Sequence, residues 1–364
     1  MRLAIDIVGA RHSGVAVVGM GVVEAAITHD SVDDVVVFAS PRRDRRFELP
    51  LSRKLRVVEC DTASSNTMAR VAWNLGLSTI AAKRQGASAF LCLANGGVGA
   101  SRVPLLLFIQ QSLPFSAEAL RALPTRARWR VAAIREVMRR SARRADLVGV
   151  QTEVMRNAVV QAFDVPDARV RVFQAPPPSF PPVDEMLLAQ LRAPTRATLL
   201  YVGNTIAYKN LERLLDAFAG VRSTTNARLL LASPDAFSTT QPGVEVLKLS
   251  TRGQLRAAYE ASDLLVFPSL VETVGLPLLE AMSLGVPILA ADRPYAREIC
   301  GDAADYFDPT DVASLRDSIA RMLADPDLRS RKVSRAQRLL AERASASYSS
   351  LVAAATALAV KGDG

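Results

Sequence analysis

The sequence holds 364 residues, with 45 Lys and Arg against 36 Asp and Glu, a formal net charge of +9, three cysteines and two histidines. That length suffices for two domains with well-buried cores, and a chain that is 49% hydrophobic and 22% charged is globular, not disordered. Cys60, Cys92 and Cys300 are far apart, with no CxxC pair, which excludes a disulfide framework and a cysteine-rich zinc site and fits a reducing compartment. With only His12 and His29 in the chain, His-based metal sites and most His-dependent hydrolase mechanisms are also set aside.

The first six residues already include Asp6, which spoils a secretory apolar segment, and no apolar run reaches the length of a membrane span. The expectation is a cytoplasmic protein, soluble or peripheral at the inner face of the plasma membrane. From there the chain alternates. Strands are expected at 3–8, 35–39, 55–59, 89–93, 104–109, 147–150 and 170–173, with helices at 64–83, 126–144 and 152–163. Residues 175–182 contain five prolines, which no helix or strand interior accepts, so they mark a linker. A second alternation follows, with strands at 198–202, 228–231, 244–249, 264–267, 286–289 and 305–307. Its helices are expected at 210–220, 252–261, 276–284, 312–323 and 328–343. The pattern implies an α/β protein of two Rossmann-like domains, 1–175 and 197–345, joined by a linker at 176–196. A last helix, within 346–364, is expected to pack back on the first domain. In such folds ligands bind at the carboxyl ends of the strands, so a cleft with the two domains facing across it is the expected site.

The charge is uneven. Residues 1–190 carry 25 basic and 17 acidic side chains, whereas residues 191–364 carry 20 and 19. Eight arginines fall in 126–144, beside one acid, Glu136. At helical spacing Ile134, Val137, Met138, Ser141 and Ala145 share one face, with Arg128, Arg135, Arg139 and Arg143 on the other. This reads either as a solvated surface or as a face that meets an anionic membrane or a polyanionic substrate. Nucleic acid is disfavoured: Trp129 is the segment's lone stacking residue, and no binding module is present.

Two stretches carry chemistry. In residues 271–287 (VETVGLPLLEAMSLGVP) a loop opens directly onto a helix, so the amides of Val274, Gly275 and Leu276 form an anion site, with Pro277 in the first turn. Glu272 lies beside that site and Glu280 eight positions on; a carboxylate suits a vicinal diol such as a ribose or a sugar. The rival reading is that both acids merely decorate a helix N-terminus. In residues 201–211 (YVGNTIAYKNL) a strand ends at Gly203, and Lys209 stands at a helix start, a point charge suited to a diphosphate. The rival reading is an ordinary exposed lysine.

Together these stretches resemble the retaining family 4 glycosyltransferases (glycosyl transferases group 1), which have the GT-B fold. The resemblance rests on the spacing of Glu272 and Glu280, the GLPxxEAMxxGxP run, the stretch ending in Lys209-Asn210, residues 298–304 (EICGDAA), and Phe307-Asp308-Pro309. It is weaker in the first half, where residues 108–115 (FIQQSLPF) and 150–155 (VQTEVM) carry it. The resemblance implies that Glu280 holds the ribose hydroxyls of a nucleotide-sugar donor, that Glu272 and the amides of Val274 and Gly275 hold its sugar, and that Lys209 neutralises the diphosphate. Leu276, Gly203 and Asn204 join the donor set, Gln110 stands with Glu272 and Lys209 as catalytic, and Ser13, Gly14 and Gln111 lie on the acceptor side. No metal or other cofactor is expected, and the acceptor is expected to be a glycan or lipid-linked sugar of surface polysaccharide or glycolipid synthesis.

Two positions depart from the family. Asn204 stands where an arginine is common, and Gln110 where a histidine is, so a His-dependent step is not expected here, although catalysis is. These departures motivate the rival reading of a weakly catalytic GT-B binding scaffold; a GT-B nucleotide-sugar epimerase is the other alternative. Asp325-Pro326-Asp327 looks like a DxD metal motif but reads as a helix start, with Asp327 as N-cap. His12 is read either as touching ligand or as solvated.

Overall fold

The computed structural model describes residues 1–10, 14–44, 47–94, 96–97, 103–193, 195–233 and 237–362. It separates into two compact units. The first comprises Met1–Phe115, Thr125–Pro176 and Ala346–Gly364; the second comprises Ser116–Pro124 and Pro177–Ser345.

Every strand expected from the sequence forms, with ends displaced by no more than two residues. In the first unit these are β1 (Arg2–Asp6), β2 (Asp34–Ala39), β3 (Leu55–Glu59), β4 (Ala89–Cys92), β5 (Leu105–Phe108), β6 (Leu147–Val150) and β7 (Val170–Val172). They pair in parallel in the order β3-β2-β1-β4-β5-β6-β7. The order reverses between β2-β1 and β1-β4, the switch point of doubly wound sheets. Continuous apolar runs such as Val35 to Ala39 and Leu105 to Phe108 are buried on both faces, as helices covering both sides of a parallel sheet require. On one face Ile5, Val37 and Leu91 pack with Val18 and Val22 of helix Gly14–Thr28 and with Leu351, Val352 and Ala355 of helix Tyr348–Gly362. On the other, Phe38, Phe90 and Leu107 pack with Met138 and Ala142 of helix Thr125–Arg144 and with Met155, Val159 and Phe163 of helix Glu153–Phe163.

The second unit has β8 (Ala197–Val202), β9 (Ala227–Ala232), β10 (Val244–Leu247), β11 (Leu264–Phe267), β12 (Ile288–Ala291) and β13 (Ala304–Phe307), paired in parallel in the order β10-β9-β8-β11-β12-β13. Leu199, Leu229, Val266 and Leu289 meet Leu214 and Phe218 of helix Leu211–Thr224 and Leu315 and Ile319 of helix Val312–Ala324. β12 begins later than the sequence suggests because Pro287 has no N–H to give; its carbonyl instead accepts from Leu265 N at 2.9 Å.

Several expectations need correction. The single helix expected over 64–83 is broken into Asp61–Ser65, Thr67–Ala72, a wide turn at Trp73–Leu77 and Ser78–Arg84. The Asn66 side chain accepts from Met68 N and Ala69 N, which starts a new helix, and Gly76 takes φ 147°, which no helix continues through. The linker placed at 176–196 contains helix Glu185–Leu191, capped by Asp184 at 3.0 Å from Leu187 N. Its Leu188 and Leu191 are buried, and Arg228, itself buried, donates to Leu191 O. Ser116–Pro124, expected with the first domain, belongs to the second unit, where Glu118 pairs with Arg293 at 2.5 Å. In the proposed DxD lookalike the N-cap is Asp325, accepting from Leu328 N at 2.8 Å, not Asp327, which lies in the first turn of helix Pro326–Glu342. Helix Gly14–Thr28 lies where no helix was expected. It is apolar nearly all round, so its sequence lacks a polar stripe to mark the period.

Candidate active site

The chemistry-bearing residues of the second unit gather in the loops after β8 and β11. After β8 the chain makes a short turn, Ala207–Lys209, and Asn210 takes a left-handed conformation, φ 60°, before helix Leu211–Thr224. The buried Asn210 amide donates to Pro309 O at 2.9 Å, and its Oδ1 accepts from Arg213 at 2.7 Å. Those two bonds fix the direction in which Lys209 leaves the chain. Tyr208 O accepts from Leu270 N at 2.8 Å and so joins this turn to the loop after β11. Gly203 and Asn204 lie on the same loop; the Asn204 carbonyl accepts from Tyr201 Oη at 2.5 Å.

Lys209 Nζ is ion-paired with Glu272, and the two side chains are only 13% and 15% exposed. The ammonium also lies 5.7 Å from the Tyr208 ring centre and 5.8 Å from that of Phe267, both within cation–π range. Burial, and then the Glu272 charge, pushes the Tyr208 phenol up to about 12, so it stays protonated across the physiological range. Tyr295 is raised for the same two reasons; its hydroxyl donates to Ser269 O at 2.7 Å.

Gly275 opens helix Leu276–Ser283 with φ 74°, and Pro277 sits in the first turn, where a missing N–H costs nothing. A Cβ at Gly275 would also lie 3.1 Å from Phe267 Cε1 and 3.2 Å from Leu278 Cδ1. The first amides of a helix have no intrahelical acceptor, so this helix start offers N–H donors suited to an anion. Glu280 follows on this helix and is 5% exposed. Its Oε1 accepts from Arg252 Nη1 at 3.1 Å and its Oε2 from Tyr259 Oη at 3.0 Å. Burial first, then the Glu280 charge, holds the Tyr259 phenol well above its ordinary range.

The second unit thus brings Lys209 and Glu272 into contact and sets Val274, Gly275, Leu276 and Glu280 on one loop and helix. Sequence reasoning missed Arg252 and Tyr259. They stand seven residues apart, two turns on one face of helix Arg252–Glu260, and a buried glutamate calls for such donors.

In the first unit Gly14 begins helix Gly14–Thr28, while His12 and Ser13 lie outside the described residues. Gln110 follows β5, is nearly buried, and donates to Leu93 O at 3.1 Å; Gln111 beside it is exposed. At the end of β1, Asp6 is fully buried and accepts from Val8 N and Trp73 Nε1, each at 2.8 Å. Burial pushes its carboxyl from 3.8 up to about 6.

Residues 185–339, which contain the whole Lys209–Glu272–Glu280 arrangement, match the model of the family described as glycosyl transferases group 1. The match takes in most of the second unit and less than half of the chain. Among curated relatives the chain is 26% identical over 208 residues to O-antigen chain mannosyltransferase B of Escherichia coli, a match of 51% of this chain and 53% of that protein. The chain thus spans about half the length of this relative. Two solved structures share the architecture of the whole chain. WaaG, a glycosyltransferase involved in lipopolysaccharide biosynthesis, aligns with a TM-score of 0.72 at 17% identity, covering 96% of this chain and 98% of that one. Anabaena Alr3699/HepE in complex with UDP-glucose aligns with a TM-score of 0.69 at 15% identity, covering 99% of each. The fold is GT-B. No described helix is long and apolar enough to cross a membrane.

Proposed function

We propose that this chain is a retaining glycosyltransferase, moving a hexosyl group from a nucleoside-diphosphate sugar to a hydroxyl of a glycan or lipid-linked acceptor in surface polysaccharide or glycolipid synthesis. The observation that carries the reading is the Lys209–Glu272 pair beside the Gly275-capped helix, with buried Glu280 on the same helix. Glu280 accepts from the ribose diol, and Glu272 with the amides of Val274 and Gly275 holds the donor sugar. Lys209 and the helix-start amides stabilise the charge that grows on the diphosphate as the C1–O bond breaks. The acceptor oxygen bonds C1 on the face the diphosphate leaves, and its proton passes to the leaving phosphate oxygen, so neither a general base nor a metal is required. In the first unit Gly14 and Gln111 are assigned to the acceptor and Gln110 to catalysis, as a hydrogen-bonding group and not a proton carrier. A thermal-shift and turnover screen with UDP-glucose and nucleoside-diphosphate mannoses tests the reading. At ~100 times its dissociation constant a bound donor adds about 2.7 kcal/mol of stability. Binding with no turnover on any glycan or lipid-linked acceptor would favour the scaffold reading, and donor conversion without acceptor the epimerase.

We also propose that helix Thr125–Arg144 meets an anionic membrane surface from the cytoplasmic side. Its buried side is Val131, Met138, Ser141 and Ala142, and Trp129 is 75% exposed among the arginines. Arg139 and Arg140 are tied to Glu136, and Arg143 to Asp164 and Phe163 O. The lipid-facing charge therefore falls to exposed Arg126, Arg130, Arg135 and Arg144. Co-sedimentation with anionic vesicles tests it.

A further inference from the structure

The proline-rich segment reads as a tether, but the structure ties it to Glu280. Phe180 lies in that segment, and the Arg252 guanidinium carbon stands 4.4 Å above its ring centre. Arg252 Nη2 also donates to Ser179 O at 3.5 Å, and the Phe180 ring meets the Tyr259 ring edge-on at 6.3 Å. Arg252 and Tyr259 are the two residues that donate to the Glu280 carboxylate, one to each oxygen. A carboxylate has about four acceptor positions, two per oxygen. With one of each pair taken, each oxygen keeps one position, which is what two neighbouring hydroxyls require. Arg252 sets a cation beside the buried Glu280 carboxylate, and the Tyr259 hydroxyl, shared with Pro277 O at 3.3 Å, stops the carboxylate from rotating. Stacking on Phe180 holds the guanidinium plane in position, a role that a flexible lysine could not fill.

We propose that Phe180, Arg252 and Tyr259 are positioning residues that orient Glu280 to select a ribonucleoside over a 2′-deoxyribonucleoside donor, which makes the proline-rich segment part of donor selection. The inference rests on the reading of Glu280 as the ribose-binding carboxylate. It is tested by isothermal titration of the full chain with UDP and 2′-deoxy-UDP and with GDP and 2′-deoxy-GDP. The wild type is expected to prefer the ribose form about tenfold, the worth of a hydrogen bond to a charged group. Tyr259→Phe and Phe180→Leu are expected to bring that ratio toward one by weakening only the ribose form, while Phe180→Tyr, which keeps the ring, retains it. The positioning role is overturned if Tyr259→Phe and Phe180→Leu keep the wild-type ratio, or if they weaken both forms equally, as a general loss of packing would. Glu280→Gln separates the two levels. A preference abolished by Glu280→Gln but intact in the other variants leaves the ribose reading standing and removes the positioning role. A wild type with no preference in either pair removes both.

Discussion

Replacing Lys209 with methionine keeps an unbranched side chain and removes only the ammonium. Two consequences with separate readouts follow from the structure. Glu272, 15% exposed, loses its cation, and breaking a partly buried ion pair costs about 1–3 kcal/mol of folding stability. A nucleoside diphosphate loses a charge-assisted contact worth about 1.5–3 kcal/mol. It also meets an unneutralised Glu272; two like charges about 5 Å apart at an effective dielectric of ~20 repel by up to about 3 kcal/mol. Diphosphate affinity is thus expected to fall roughly 10²- to 10³-fold. Adding Glu272→Gln removes the orphaned charge, so the double variant regains stability in urea denaturation. It regains the repulsive part of the affinity but stays about tenfold or more below wild type, because the contact itself is gone. A nucleoside monophosphate, lacking the second phosphate, is expected to change little in either variant. Titration calorimetry with UMP, UDP, GMP and GDP distinguishes these cases. Equal losses for mono- and diphosphates, or full recovery of diphosphate binding in the double variant, would show that Lys209 serves only to neutralise Glu272.

Gly275→Ala forces a side chain into φ 74° and against Phe267 and Leu278, so it should cost about 1–3 kcal/mol in urea denaturation and weaken nucleotide binding further by misdirecting the helix-start amides. Asp6, whose carboxyl is raised from 3.8 to about 6, binds its proton better folded than unfolded. Its contribution is fully present below about pH 4 and is lost as pH rises through 6, a change of about 3 kcal/mol. Asp6→Asn removes that dependence, so the stability of the variant minus that of the wild type should climb by a similar amount from pH 4 to 7; a flat difference would contradict the burial of a titrating Asp6. Fluorescence of Trp73, which donates to Asp6, should titrate with a midpoint near 6 in the wild type only. Reversing Arg130, Arg135 and Arg144 to glutamate should release the chain from anionic vesicles in a salt-sensitive way, whereas reversing Arg139 and Arg140, which are held by Glu136, should matter less.

The alternation of apolar runs with helical stretches sufficed to place every strand of both sheets, because central strands buried on two faces must be apolar throughout, and the less buried edge strands β3 and β10 still carry short β-branched runs. The spacing of Glu272 and Glu280 and the place of Lys209 at a helix start marked the loops after β8 and β11 for a similar reason: backbone turns that expose helix amides demand particular residues at adjacent positions. What failed locally failed where tertiary contacts override the period. Helix Gly14–Thr28 is covered on two sides and shows no polar stripe, and the expected helix at 64–83 is divided by an Asn66 cap and by Gly76.

Only the tertiary structure decided how the marked charges are used. It pairs Lys209 with Glu272 across 63 positions of sequence, and Glu280 with Arg252 and Tyr259 across 28 and 21. It also sets Phe180 of the proline-rich stretch under Arg252 and takes Arg139, Arg140 and Arg143 out of the free basic surface. Residue types and short spacings are properties of the chain and can be read along it. Which donor reaches which acceptor depends on how loops at the ends of different strands come together, and that is set only when the sheet closes its order around them.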